Sequence, residues 1–282
     1  MDISLSELSE VKGIGKKTIQ RIREYKLADE GYISEYDESL HLNRNSVNQG
    51  DCLKLMNGIP DKSVDMILAD LPYGTTACSW DSIIPLDKLW LQYERIIKDN
   101  AAIVLTANQP FTTTLIESNK QLFKYIWTWD KVIPSGSMVA EYRPMQQTED
   151  VLIFGKDKIK YNPQLTKRDK PIKSGGGKTL ETAGLKKDKN HKKTYKYKQP
   201  ITLLKYMKVR NKSQHPTQKP TELFEYLIKT YTNEGDVVLD NTAGSGTTGV
   251  ACQNTNRDYI LIEQEEKYIN IINERLNKEG AK

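Results

Sequence analysis

The sequence predicts an α/β protein whose core is a doubly wound, mostly parallel sheet. From about residue 45 onward, short apolar segments alternate with amphipathic ones, the order in which β-α units give parallel strands. Two of the apolar segments run directly into turns rich in polar, proline or glycine residues, at residues 70–73 and 240–246. Open α/β sheets bind ligands beyond the carboxyl ends of their strands. Both turns are therefore candidate parts of a functional site.

The individual elements rest on the spacing of apolar residues. Residues 64–69 (Val-Asp-Met-Ile-Leu-Ala) form a short apolar run typical of a buried strand. Residues 85–98 place Leu86, Leu89 and Tyr93 on one stripe, which indicates an amphipathic helix. The remaining predicted strands are 47–51, 101–107, 125–129, 151–154, 237–240 and 259–263, and the remaining predicted helices are 111–117, 221–231, 247–253 and 265–276.

Composition limits the class of protein. The 282 residues include 37% hydrophobic and 28% charged residues, an ordinary balance for a soluble domain. No apolar run approaches the length of a membrane span, and the acidic N-terminus does not resemble a signal sequence, so we expect a cytoplasmic protein. Cys52, Cys78 and Cys252 are odd in number and lack metal-ligand spacing. We therefore predict reduced, buried thiols and no bound metal.

Charge is distributed unevenly along the chain. Residues 156–212 contain nineteen Lys and Arg against four Asp and Glu, a local charge of +15. The net charge of the chain is +5, so the other residues together carry −10. A basic segment on an acidic body is typical of a protein that binds a polyanion. The candidate residues for contacts with this polyanion are Lys192, Lys193, Lys196 and Arg210, and Tyr195, Tyr197 and Tyr206 would stack on bases if the polyanion is a nucleic acid.

Residues 1–30 predict a small N-terminal appendage of two helices that resembles a helix-hairpin-helix. Gly13 and Gly15 would form the turn, where backbone N–H groups at a helix start can approach a phosphate. Lys16 and Lys17 follow and add positive charge. We expect this segment to grip the DNA backbone regardless of sequence, so its removal should weaken binding uniformly and reduce its salt dependence.

The turn at residues 240–246 (Asp-Asn-Thr-Ala-Gly-Ser-Gly) has the features of a nucleoside site. Gly244 and Gly246 allow a tight strand-to-helix turn and close backbone approach of a ligand. Glu263, at the end of the next predicted strand, can accept hydrogen bonds from both ribose hydroxyls. The turn lacks the lysine of a triphosphate-binding loop, and Asp240 would repel a pyrophosphate but suit a cationic cofactor. A nucleoside without phosphates is most consistent with it.

Both turns together resemble those of the S-adenosylmethionine-dependent DNA amino-methyltransferases, in the circularly permuted order called the β class. Asp-Leu-Pro-Tyr at residues 70–73 matches the catalytic Asp-Pro-Pro-Tyr, and residues 240–246 match the cofactor loop. Residues 215–220 (His-Pro-Thr-Gln-Lys-Pro) match the segment before that loop, and Gly-Asp at 50–51 matches the loop that contacts the cofactor adenine. The resemblance spans about residues 45–276. Leu71 replaces the first proline of the motif, but it keeps the main-chain carbonyl that the family uses.

The resemblance implies a Rossmann-like fold and a specific set of site residues. Its parts would be the appendage at 1–30, a catalytic half at 43–155, a target-recognition region at 156–212 and a cofactor-binding half at 213–282. The implied catalytic residues are Asp70, Leu71, Pro72 and Tyr73. The implied S-adenosylmethionine-binding residues are Asp51, Cys52, Asp70, Lys219, Asp240, Thr242, Ala243, Gly244, Ser245, Gly246, Thr247 and Glu263.

The implied reaction is methyl transfer to an exocyclic amine of a base in duplex DNA. Such an amine is a poor nucleophile because its lone pair is delocalised into the ring. Hydrogen bonds from its N–H groups to the Asp70 carboxylate and the Leu71 carbonyl would localise that lone pair. Tyr73 would stack on the base after it leaves the duplex, and Trp129 could also line the base pocket.

Adenine N6 is the predicted target, because the first motif residue is Asp rather than the Ser typical of cytosine-N4 relatives. The alternatives are a cytosine-N4 methyltransferase, a catalytically degenerate DNA-binding protein, and an amino-methyltransferase of RNA or protein glutamine. Double-stranded DNA is the expected partner. A cognate restriction endonuclease is possible, and both a monomer and a homodimer are consistent with the sequence.

Overall fold

The computed structural model describes residues 18, 21, 22, 24, 27, 32, 34–74, 82–173, 194–210 and 218–279. Of the N-terminal appendage, the described residues 18, 21, 22, 24 and 27 are helical. The other predicted features that lie outside the described residues are Gly13, Gly15, Lys16, Lys17, Cys78, Lys192, Lys193 and residues 215–217.

Within the described residues, eight strands form one mostly parallel sheet in the order β1-β10-β9-β2-β3-β5-β4-β8. Its strands are β1 (Ser46–Gln49), β2 (Val64–Ala69), β3 (Ile97–Ala107), β4 (Phe123–Ser135), β5 (Gln146–Phe154), β8 (Leu203–Lys205), β9 (Val237–Asp240) and β10 (Asp258–Glu263). Only β5 runs antiparallel to its neighbours β3 and β4 among the pairings of these strands.

The order of the strands reverses beside β2. On one side β2 pairs with β3, the next strand along the chain. On the other side it pairs with β9, which is far away in sequence and is followed in the sheet by β10. The pairing sets Met66 opposite Val238 and Ile67 opposite Leu239. Such a reversal leaves a crevice at the carboxyl ends of the strands. The two turns that the sequence singled out both begin at this point.

Helices cover both faces of the sheet, as a doubly wound fold requires. They are α1 (Cys52–Leu55), α2 (Leu86–Ile96), α3 (Phe111–Ser118), α4 (Thr221–Tyr231), α5 (Thr247–Asn254) and α6 (Glu266–Glu279), with 3-10 turns at Glu38–Leu40, Met56–Gly58 and Ser137–Val139. Alternate residues of β2 enter different cores: Ile67 packs with α2 and α3, and Met66 packs with α4 to α6. This alternation fixes which side of the strand faces which helix layer.

The basic segment contains more regular structure than its lack of periodicity suggested. Strands β6 (Thr166–Lys173) and β7 (Thr194–Lys198) pair antiparallel, within a separate compact unit of residues 163–201. Both strands are exposed almost throughout, so neither has the apolar alternation by which strands are recognised. Residues 203–205 belong to the main sheet instead, where β8 pairs parallel with β4.

Several strands extend beyond their apolar centres. The strand predicted at 125–129 spans Phe123–Ser135, and the one predicted at 151–154 spans Gln146–Phe154. Their polar ends pair with each other, which the apolar pattern does not reveal. Among the described helices, none is long and apolar enough to cross a membrane. Cys52 and Cys252 are buried free thiols, as predicted.

Candidate active site

The carboxyl ends of β2 and β9 border a cavity of about 540 Å³, a volume typical of small-molecule sites. Asp70 directly follows β2, and Asp240 is the last residue of β9. The lining includes most of the residues that the sequence selected: Asp51, Cys52, Asp70, Leu71, Pro72, Tyr73, Lys219, Asp240, Thr242, Ala243, Gly244, Ser245, Thr247 and Glu263. Gly246 is not among the lining residues, and it precedes α5 as its N-cap.

Side chains from three elements hold the Asp70 carboxylate. Its Oδ1 accepts hydrogen bonds from the Tyr73 hydroxyl at 2.7 Å and from the hydroxyl of Thr106. Its Oδ2 accepts one from Lys219 Nζ at 2.6 Å. The Asp70 main-chain carbonyl accepts a further bond from Thr242 Oγ1 at 3.2 Å, which ties the reaction turn to the cofactor turn. The carboxylate is therefore fixed in position before any ligand is present.

Behind Asp70 lies a buried chain of alternating charges. Lys219 Nζ also lies 3.5 Å from Glu149 Oε2, and Glu149 Oε1 lies 3.1 Å from Lys131 Nζ. Lys131 and Lys219 are 4% and 6% exposed, so solvent screens these contacts little. Burial lowers the pKa of Lys219, but Asp70 and Glu149 outweigh burial and hold that pKa above its ordinary value. Lys219 is thus a permanent cation beside Asp70.

Tyr73 is held as a neutral hydrogen-bond donor. Burial, and then the charges of Asp70 and Glu149, raise the pKa of its hydroxyl well above its ordinary value. Its ring lies 5.3 Å from that of Phe111, the first residue of α3. Tyr73 therefore contributes both a wall of the cavity and a donor to Asp70.

The cofactor turn is shaped by two glycines and an aspartate. Gly244 and Gly246 have positive φ angles of 52° and 76°, in the left-handed region that glycine adopts without strain. Asp240 accepts hydrogen bonds from the Thr242 backbone N–H at 3.1 Å and from the Thr248 hydroxyl. Burial raises the pKa of Asp240 to about 7, against an ordinary 3.8. Near neutral pH this carboxyl group is consequently divided between its neutral and charged forms.

Glu263 connects three segments of the lining. Its Oε2 accepts the Gly244 backbone N–H at 2.7 Å, and its Oε1 accepts those of Gln264 and Glu265 at 2.8 and 2.9 Å. Its own carbonyl accepts the backbone N–H of Gly50 at 3.0 Å. Burial raises the pKa of Glu263, whereas the three backbone donors lower it. A carboxylate offers about four acceptor positions, so capacity remains for a ligand hydroxyl.

The loop at Asp51 is built by helix capping. Asp51 is the N-cap of α1, and its carboxylate accepts the Lys54 backbone N–H at 3.0 Å. Cys52 follows as a buried thiol whose pKa burial raises to about 11. Both residues line the cavity, and Gly50 directly before them is hydrogen-bonded to Glu263.

The predicted DNA-binding residues that are described lie outside this lining. Lys196 is exposed on β7 of the compact unit 163–201, and Arg210 is exposed after β8 of the main sheet. Trp129 borders the cavity, but its side chain is only 2% exposed, packs within the core and donates from Nε1 to the Tyr206 carbonyl at 2.8 Å.

Sequence reasoning missed Lys131, Glu149 and Thr106. A partial signal existed for the first two: Lys131 directly precedes Val132 and Ile133, and Glu149 lies two residues before the apolar run 151–154. A buried charge requires a partner, and that requirement could have linked them to each other and to Lys219. Thr106 gave no comparable signal, because threonine is common in strands.

Comparisons with known proteins agree with one another. A family model described as DNA methylase, of the N6/N4 type, matches residues 64–274. The type II methyltransferase M2.MboI of Moraxella bovis is 29% identical over 272 residues, covering 87% of this chain and 92% of the relative. The DNA adenine methyltransferase YhdJ of Escherichia coli (strain K12) is 29% identical over 254 residues, covering 82% of each. The crystal structure of the M1.HpyAVI–SAM complex is 25% identical with a TM-score of 0.55, covering 82% of this chain and 99% of that one.

Proposed function

This chain belongs to the N6/N4 DNA methylase family and is an S-adenosylmethionine-dependent DNA methyltransferase, and we propose that it methylates the exocyclic N6 of adenine in duplex DNA after flipping the base. The proposal rests mainly on the Asp70 carboxylate, which is held by hydrogen bonds at the carboxyl end of β2, beside the turn that follows β9. The steps of the proposal follow from the residues of this cavity.

The cavity fits a cationic nucleoside cofactor. Its lining contains six carboxylates and three lysines, which disfavours a phosphorylated ligand and suits a positive one. The six carboxylates are Asp51, Asp70, Glu149, Asp240, Glu263 and Glu265. We assign the ribose to Glu263, the adenine to the Asp51–Cys52 loop and the methionine end to residues 242–247. When bound, S-adenosylmethionine supplies an activated methyl group on its sulfonium.

Asp70 would accept a hydrogen bond from the target amine and so increase the nucleophilicity of its nitrogen. The Leu71 carbonyl would accept the second N–H, which requires the amine to lie against the turn rather than deeper in the cavity. Lys219 keeps positive charge next to the carboxylate, and this favours an acceptor over a proton-abstracting base. After methyl transfer the nitrogen carries the positive charge, and this cationic amine is acidic and loses a proton to solvent.

Adenine is favoured over cytosine by two observations. The motif begins with Asp at position 70, and YhdJ, whose name specifies adenine, aligns over 82% of this chain. The cytosine-N4-specific PvuII methyltransferase shares the fold with a TM-score of 0.57 at 17% identity, and this likeness concerns the fold alone. Cytosine-N4 methylation is the second candidate.

We propose that the compact unit 163–201 recognises the target sequence. Its strands β6 and β7 expose basic side chains together with Tyr195 and Tyr197, which are 44% and 51% exposed. Lysines and arginines contact phosphates, and tyrosines stack on bases. The N-terminal appendage would add contacts to the DNA backbone. The protein would act in the cytoplasm, with or without a cognate restriction endonuclease.

One experiment tests base, position and sequence together. The chain is expressed in a bacterial host that lacks adenine methylation, and the host genome is read by single-molecule sequencing. We expect N6-methyladenine at one short sequence motif, and no mark from the Asp70→Ala variant. N4-methylcytosine at that motif would instead identify the protein as a cytosine-N4 methyltransferase. An unmodified genome, together with measured S-adenosylmethionine binding, would indicate an inactive DNA-binding protein.

A further inference from the structure

The segment at residues 136–145 exposes large apolar side chains beside the cavity. We call it the apolar loop; it connects β4 to β5. Met138 is 96% exposed, Tyr142 is 86% exposed and Met145 is 39% exposed. Single exposed apolar residues are ordinary, but three within one short loop indicate a surface that becomes covered by a partner.

The apolar loop is ordered by its own hydrogen bonds. The backbone N–H groups of Val139 and Tyr142 donate to Gly136 O and Val139 O at 3.1 and 3.0 Å. Gly136 begins the first of these turns with a φ of 89°. Lys208 fixes the base of the loop, because its Nζ donates to Pro134 O at 2.9 Å and Ser135 Oγ at 2.8 Å. The exposed side chains are therefore presented by a preformed scaffold.

Both ends of the apolar loop reach the active site. Ser135, before the loop, and Gln146, after it, line the cavity. Gln146 Nε2 also donates to Asn108 Oδ1 at 2.6 Å, and Asn108 is another lining residue. The loop consequently begins and ends at the lining of the cavity that would receive a flipped base.

A base that leaves the duplex creates a gap in the stack, and apolar side chains that enter such gaps stabilise the opened helix. We propose that the apolar loop is a DNA wedge: Met138 and Tyr142 insert at the target base pair and occupy the space of the flipped base. Arg143, exposed on the same loop, would meet the adjacent phosphate, and it offsets the nearby Glu141. This inference rests on the proposed function and assigns the residues that open the duplex.

The test measures methylation of short duplexes that contain the sequence found by genome sequencing. One duplex is fully paired, and the other carries an abasic position opposite the target adenine, so that little work is needed to flip it. The variants are Met138→Ala and Tyr142→Ala. The control is Tyr161→Ala, whose side chain is also exposed (44%) but follows the end of β5 that is opposite to the apolar loop. Its neighbour Lys160 donates its backbone N–H to the carbonyl of Asn100, near the start of β3.

We expect kcat/KM on the paired duplex to fall roughly tenfold or more in the loop variants, and to change less than about threefold on the abasic duplex. The fluorescence of 2-aminopurine at the target position should rise on binding of the wild type and of Tyr161→Ala, but not of Tyr142→Ala. S-adenosylmethionine binding by all variants reports that each is folded.

Three results would overturn the wedge. Unchanged rates on the paired duplex would remove the loop from the DNA interface. Equal losses on both duplexes would indicate a structural role, and equal losses accompanied by dissociation of a dimer in sedimentation would identify a second copy of the chain as the occupant. A host genome without any methylated motif would refute the proposed function itself before any duplex is made, which separates that failure from failure of the wedge.

Discussion

Two aspartates at the ends of neighbouring strands have opposite electrostatic environments. Asp70 after β2 has a 20% exposed side chain and an ion pair with Lys219, whereas Asp240 at the end of β9 is 3% exposed. Among the described residues, no lysine or arginine forms a salt bridge with Asp240. Its oxygens accept from the Thr242 backbone and the Thr248 hydroxyl instead.

The two environments suit two different roles, an acceptor for the substrate at Asp70 and a structural group at Asp240. A carboxylate beside a buried cation is held by a charge-assisted hydrogen bond and can still accept one from a substrate amine. A carboxyl group buried among neutral donors resists ionisation, and it serves first to hold its own turn in shape. Aspartates at equivalent strand ends therefore have different roles. Substitution of Asp70 should mainly affect catalysis, and substitution of Asp240 should mainly affect stability.

The largest expected effect is on catalysis by Asp70. Asp70→Ala should lower kcat by at least about 10³-fold, because the acceptor for the target amine is lost. S-adenosylmethionine affinity should change less than about threefold, as measured by isothermal titration calorimetry. A large loss of cofactor affinity with normal kcat would reverse the roles assigned to the two aspartates.

The next effect concerns the pH dependence of stability at Asp240. Burial raises the pKa from 3.8 to about 7, so between these values the native state holds a proton that the unfolded chain has lost. Stability contributed by this group therefore falls as pH rises across that window, by roughly 4 kcal/mol. Asp240→Asn cannot ionise and should lose this dependence.

Urea unfolding at pH 5 and pH 8 checks this expectation. The stability of Asp240→Asn relative to the wild type should improve on going to pH 8. The Asn side chain can keep the bond from Thr242 and donate to the Thr248 hydroxyl, so the turn is preserved. A difference that does not vary with pH would mean that Asp240 is charged throughout the range.

Lys219 connects the two regions and gives a third prediction. The sequence predicts this residue at the cofactor, and in the structure it lines the cavity and pairs with Asp70 and Glu149. Lys219→Met should lower kcat about 10²-fold and destabilise the fold by about 3 kcal/mol, because it leaves two carboxylates with a single lysine. If the main change were instead a weaker Kd for S-adenosylmethionine, the sequence expectation would be correct.

The smallest effect is expected at Thr248. Thr248→Val removes the hydroxyl that donates to Asp240 while keeping the shape of the side chain, and should cost about 1–2 kcal/mol. The control is Thr255→Val at the C-cap of α5, where the hydroxyl donates to the Ala251 carbonyl of the last helical turn at 2.7 Å. If both variants lose the same free energy of unfolding in urea, the hydroxyl that donates to Asp240 contributes no more than an ordinary helix-end hydroxyl.

The sequence was sufficient for the elements that carry the site. Helix Thr221–Tyr231 and strands Val64–Ala69 and Val237–Asp240 have the predicted bounds, because apolar periodicity and flanking proline or glycine residues are local signals. Strands β6 and β7 escaped prediction, since their two faces are both polar and exposed. Pairing of such strands depends on a partner elsewhere in the chain, which periodicity does not encode.

The sequence by itself determined the fold class, the two strand-end turns and their residue types. The turns and the individual elements are specified by near neighbours in the chain, and the fold class follows from the order in which those elements alternate. Only the tertiary structure decided that Lys219 lies against Asp70 and that Glu149 and Lys131 stand behind it. It also decided that Asp70 pairs with a lysine, whereas Asp240 is buried among the donors of Thr242 and Thr248 and has a raised pKa. Burial and the approach of distant side chains set this difference, and distance along the sequence carries no information about either.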